Sequence, residues 1–168
     1  MRHSSVSFRS APLVVFSGSR RSLPPASLLS SVFSAVHPSA FVVVGCASGV
    51  DHAVRRAFPR ASVFFASSFG SGRASFARRS VAVVATAVGV RGSFFVSFPG
   101  VACPAGLLPS AVSSRCFCGL GSGSWASLAF AVGSGVSSLL WLPAGISAPV
   151  GWGFVPLGSG WWFFQPMK

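Results

Sequence analysis

The chain contains no glutamate, tyrosine or asparagine, and one residue each of aspartate, glutamine, lysine, threonine and isoleucine among its 168 residues. Each absence removes a class of function. With Asp51 as the sole acidic residue, no other carboxylate is available to any mechanism. No histidine lies beyond His52, which starves the cysteine-bearing half of the chain of the usual zinc partner. Cys116 and Cys118 form a C-x-C pair with Cys103 upstream, but the C-x₂-C spacing and a second pair are missing, so no metal site is expected. Long apolar runs are scarce near the start. The first, Leu13 to Phe16, is far too short for a signal core, and the basic, polar stretch before it fits a cytoplasmic chain with reduced thiols.

What remains is apolar and basic. Hydrophobic residues make up 51% of the chain, which argues against disorder, and 168 residues suffice for one sizeable core. Thirteen Lys and Arg residues face one acid, giving a net charge of +12. That balance points to polyanions, either nucleic acid or an anionic membrane surface. It has a second origin. The missing residues are those whose codons contain adenine, so base composition of the coding strand accounts for the same imbalance. Both origins stay open.

Read along the chain, residues 1–10 form a flexible lead, 11–143 a folded domain, and 144–168 a Gly/Pro/Trp-rich tail, expected as an irregular flap or an edge hairpin. Within the domain, apolar β-type runs alternate with segments of helical spacing. Strands are expected at Leu13–Phe16, Phe41–Val44, Ala61–Ala66, Ser93–Phe98 and Val136–Leu142. Helices are expected at Ala26–Val36, Val50–Phe58, Ser75–Val88 and Ser124–Val132, punctuated by proline and glycine. The alternation predicts an α/β domain built on a parallel sheet of about five strands with right-handed crossovers. The segment Val101–Leu120 is long for a connection and is a lid candidate.

Three turns carry the functional signal: FSGSR at Phe16 to Arg20, GCASGVD at Gly45 to Asp51, and GSGSW at Gly121 to Trp125. Each precedes a helix-like stretch, and in parallel sheets such turns gather on one edge. Backbone amides and helix N-termini there favour anions, and glycine lets the backbone come close to a phosphate. The three turns, in this order, resemble those of the SLOG superfamily, named from the DNA-processing Smf/DprA proteins and the Lonely Guy enzymes. The resemblance spans Leu13 to Leu142. It implies a Rossmann-like fold with helices on both faces and a nucleotide or nucleotide-derived ligand in the groove between the turns. It also implies ligand contacts from Gly18, Ser19, Arg20, Gly45, Ser48, Gly49, Asp51, Gly121, Ser122, Gly123 and Ser124. The departure is chemical: Lonely Guy enzymes use a glutamate in their P-G-G-x-G-T-x-x-E segment, and this chain has none. No catalytic residue is therefore assigned. A homodimer is expected only by analogy with relatives that pair through helices.

Single residues have competing roles. Asp51 completes an S-x-x-D pattern with Ser48, the ordinary role being a helix cap, and a ribose hydroxyl or metal-bound water is its alternative partner. His52 reads as a solvated helix residue. Arg73, like Arg20 and Arg21, lies at the expected ligand edge, where guanidinium forks suit phosphate oxygens. Arg55, Arg56, Arg78 and Arg79 read as outer-face residues of helices. Trp152, Trp161, Trp162, Phe163 and Phe164 read as a packing or self-association surface rather than a platform for bases. Two other functions compete with nucleotide binding. One is binding of single-stranded DNA through the arginines. The other is membrane association, since Cys116 to Met167 carries no charge; Gly133-Ser134-Gly135 interrupts the longest candidate span.

Overall fold

The computed structural model describes residues 10–167, so most of the lead at 1–10, and Lys168, lie outside the described residues. The chain begins with strand β1 (Leu13–Gly18), helix α1 (Ala26–Ala35), β2 (Phe41–Gly45), α2 (Val50–Ala57) and β3 (Ser62–Phe64). A short 3₁₀ turn, Ala66–Phe69, leads to α3 (Arg73–Ala85) and β4 (Phe94–Phe98). Then follow the brief α4 (Ser113–Cys116), α5 (Gly123–Gly133) and β5 (Ser137–Trp141), and finally β6 (Val155–Gly158) and β7 (Trp161–Phe164).

These strands form one sheet in the order β3-β2-β1-β4-β5-β7-β6. The first five run parallel, while β7 is antiparallel to both β5 and β6. The sheet thus has seven strands, not about five. The extra pair comes from the tail, whose glycines and Pro156 hide a hairpin that returns Trp161–Phe164 along β5. That return buries β5 at Ser138, Leu139 and Leu140 instead of leaving it as an edge.

The strands are apolar on both sides because both faces are covered. Val14 and Phe16 pack with Leu29 and Val32 of α1 and Val50 and Val54 of α2. Leu13 and Val15 face the other way, into a core with Val83 and Val84 of α3 and Leu128 and Ala129 of α5. The tail aromatics are packing residues: Trp152 is buried with its ring edge-on to Trp125 at 6.0 Å, and Trp161 meets Phe98 at 5.7 Å.

Strand order decides where a ligand could enter. From β1 the chain moves outward to β2 and β3, then returns through α3 to β4 on the other side of β1. The helices after β1 and β4 therefore leave in opposite directions. Open parallel sheets bind ligands at this reversal, outside the carboxyl ends of the two strands. Here those ends are Gly18 and Phe98, paired in register.

Candidate functional site

A cleft of about 890 Å³ opens at that point, bounded by the end of β1, by α3, and by the N-terminus of α5. Its size is within the range of small-molecule sites. Of the residues proposed from sequence, Gly18, Ser19, Arg20, Gly45, Asp51, Arg73, Gly121, Ser122, Gly123 and Ser124 line it. Ser48 and Gly49 do not: Ser48 points to solvent, and Gly49 lies behind the first turn.

The first turn is built tightly. Ser19 N–H donates to Phe98 O at 2.9 Å, holding the ends of β1 and β4 together. The Ser19 hydroxyl accepts from the N–H groups of Arg21 and Ser22 at 3.2 and 3.0 Å, so the chain turns back under its own side chain. A Cβ on Gly18 would lie 2.6 Å from Val50 Cβ, which explains the glycine by helix packing. Arg20 reaches over the Phe76 ring at 4.9 Å, a cation–π contact at the cleft mouth.

The second turn is committed to the protein itself. Gly49, at φ 71°, is the N-cap of α2, and no side chain caps this helix. The S-x-x-D capping pattern is therefore not realised: Ser48 is one residue too early, and Asp51 folds back instead. One carboxylate oxygen, Oδ2, accepts the Ala47 N–H at 3.2 Å and meets Arg79 Nη1 at 3.3 Å. Asp51 is 6% exposed and Arg79 5%. Burial pushes the Asp51 carboxyl above its ordinary range, against the opposing pull of Arg79, the Ala47 amide, Arg55 and Arg20. Arg55 Nη1 donates to Gly45 O and Ala47 O, each at 2.9 Å. Two guanidiniums and one carboxylate thus set the shape of this turn.

Arg79 and Arg55 correct the outer-face reading of the helical arginines. Arg79 is swallowed because α3 crosses over the end of β2 and Asp51 waits there; Arg56 and Arg78 are exposed, as is His52. Arg79 Nε has no hydrogen-bond partner, an unsatisfied donor beside the cleft.

The third turn is different. Ser122 caps α5, its hydroxyl accepting from Trp125 N–H at 3.4 Å and lying 2.9 Å from Ser124 Oγ. The next two amides, Gly123 and Ser124, belong to a helix's first turn and have no partner within it. Nothing lies within 4 Å of a Cβ built on Gly123, so this end of α5 is open to the cleft. A helix start of this kind favours an anion through its dipole and its unpaired amides.

Beyond Arg73 and the lid candidate, the remaining wall residues were not named from the sequence. One face of α3 contributes Arg73, Phe76, Ala77, Ser80 and Val83, which follow helical spacing from Arg73 and could have been read from it. The lid candidate Val101–Leu120 is a wall: Leu107 and Cys116 are buried in the core, while Val101, Phe117 and Leu120 border the cleft. Trp125 Nε1–H ties it down, donating to Val101 O at 2.9 Å. Burial pushes the Cys116 thiol up, away from the thiolate form a nucleophile needs.

Among the described residues no group of three or more His, Cys, Asp or Glu side chains is placed to hold a metal ion, and no helix is long and apolar enough to cross a membrane. Comparison with family models, with curated proteins and with solved structures finds no match to this chain.

Proposed function

We propose that the protein binds a nucleotide or nucleotide-derived phosphorylated ligand in this cleft, as a SLOG-like domain of Rossmann-like type, and that it does so without catalysis. One observation carries the reading. Three glycine turns far apart in sequence border a single cleft at the reversal of strand order, with a free helix N-terminus and exposed guanidiniums around it. The phosphate belongs at the Gly123 and Ser124 amides, in the same cleft that Arg20, Arg21 and Arg73 line. The apolar wall of Phe76, Phe117 and Leu120 suits the flat body of a base. Chemistry on the ligand lacks its tools, because the sole carboxylate is held by Arg79 and the cleft thiol is buried.

Gly123→Glu tests this cleanly. The substituted side chain enters open space at a helix N-terminus, where an acid is favoured by the dipole, so folding survives. A thermal-shift screen against nucleotides should show stabilisation of the original chain and none of the variant. Equal stabilisation of both would remove the ligand from this turn.

A second reading keeps one supporting observation. Arg56, Arg60, Arg78, Arg91 and Arg115 are exposed outside the cleft, with no acidic residue left in the chain to pair with them. Exposed arginines of this kind, without an acidic partner, suit the phosphates of single-stranded nucleic acid. The reading predicts affinity that falls steeply with salt and is indifferent to Gly123→Glu.

A further inference from the structure

The charge arrangement of the cleft dictates which ionic form of a phosphorylated ligand it can accept. Divalent cations accompany nucleoside di- and triphosphates, and proteins that take the complex offer the cation carboxylates or waters held by them. This chain has one side-chain carboxylate, Asp51. It is buried, its Oδ2 is occupied by Arg79 and the Ala47 amide, and Arg55 braces the same turn through Gly45 O and Ala47 O. Arg20, Arg21 and Arg73 line the same cleft, in which Asp51, already paired with Arg79, is the one acidic residue. A divalent cation brought in with a ligand would meet the guanidiniums of Arg20, Arg21 and Arg73 and find no side-chain carboxylate that is not already paired.

Building on the nucleotide reading, we propose that the cleft selects the metal-free polyanion: it binds phosphorylated nucleosides uncomplexed, tightens as phosphates are added, and is antagonised by magnesium. The arginines do the work that the cation does elsewhere. Magnesium, by neutralising two charges of a triphosphate, removes what they recognise and adds a charge they repel. A monophosphate, which holds magnesium weakly, is spared.

Calorimetric titration of the full chain with AMP, ADP and ATP, in EDTA and in excess magnesium at matched ionic strength, tests the proposal. Each exposed charge pair is worth up to about 1 kcal/mol, or roughly fivefold in Kd, so ATP in EDTA should bind tighter than AMP by about tenfold, with a ceiling of roughly 25-fold. Magnesium should weaken ATP by about fivefold to tenfold and leave AMP unchanged. The double variant Arg21→Ala with Arg73→Ala changes two exposed side chains that make no hydrogen bond or ion pair among the described residues, and should shrink both the phosphate ladder and the magnesium effect. Magnesium that tightens ATP, or leaves it unchanged, overturns the proposal, as does equal affinity for the three nucleotides in EDTA. In either case the nucleotide reading stands. If none of the three binds, that reading falls and the metal-free proposal falls with it.

Discussion

The second and third glycine turns look alike in sequence and are opposite in structure. In Gly45–Asp51 the glycines exist so that protein can touch protein. Gly45 leaves room for the Arg79 guanidinium and for Asp51 Oδ2, and Gly49 lets α2 come up against the backbone of Ser19 and Arg20. Val50 N–H then donates to Ser19 O at 3.1 Å, joining the second turn to the first. In Gly121–Trp125, Gly121 at φ 66° is packed against Pro104, but the space beside Gly123 is empty and the start of α5 lines the cleft. Glycine in a turn therefore signals close approach without saying to what. The distinction lies in whether another part of the chain fills the gap.

The sharpest way to break this comparison is at the charge that fills it. Asp51→Ala leaves Arg79 buried and unpaired, and removing one partner of a buried pair costs about 3–5 kcal/mol. Because desolvation of the carboxylate opposes its attraction to Arg79, the pair itself adds little net stability. The double variant Asp51→Ala with Arg79→Met should therefore recover much of the loss. Urea unfolding of the three chains checks both statements. A double variant no better than Asp51→Ala would mean that the carboxylate's role is its bond to the Ala47 amide.

A smaller but still clear effect is expected at Gly49. Its φ of 71° and ψ of −127° lie where side chains are strained, and an added methyl would press on the Ser19 carbonyl and Arg20 backbone. Strain of this kind is worth about 1–3 kcal/mol, to which the collision adds. Gly49→Ala should lower the urea midpoint and loosen the first turn, weakening ligand binding indirectly. Unchanged stability would show that the two turns are not packed together as described.

Much of this arrangement was legible beforehand, and the illegible parts share a cause. Continuous β-branched runs such as Val42–Val44 read as strands covered on both faces, and proline and glycine marked where they stopped. The turns that border the cleft were legible for the same reason. Arg79 was not, because its neighbour Arg78 has the same chemistry and local spacing; only the crossing of α3 over β2 separates them, and Asp51 is 28 residues away in sequence. The hairpin of β6 and β7 was left open because glycine-rich segments have weak periodicity, and pairing with β5 is a long-range event. Gly100, beside Ser19 and Ser22, reaches the site through β4 and carries no local mark of it.

The mildest substitution is the most discriminating for the open turn. Gly123 begins α5, has an ordinary backbone conformation, and has no neighbour for an added methyl. Replacing such a glycine with alanine restricts the unfolded chain and stabilises the fold by about 0.4–1 kcal/mol. For a chain of this size that raises Tm by roughly 1–4 °C. A methyl is also small against a cleft of about 890 Å³, so ligand binding should change little, in contrast with Gly123→Glu. Thermal melts of Gly49→Ala and Gly123→Ala, run side by side, should then move in opposite directions. If both fall, the third turn is packed against protein as the second is, and the free amides of α5 are not free.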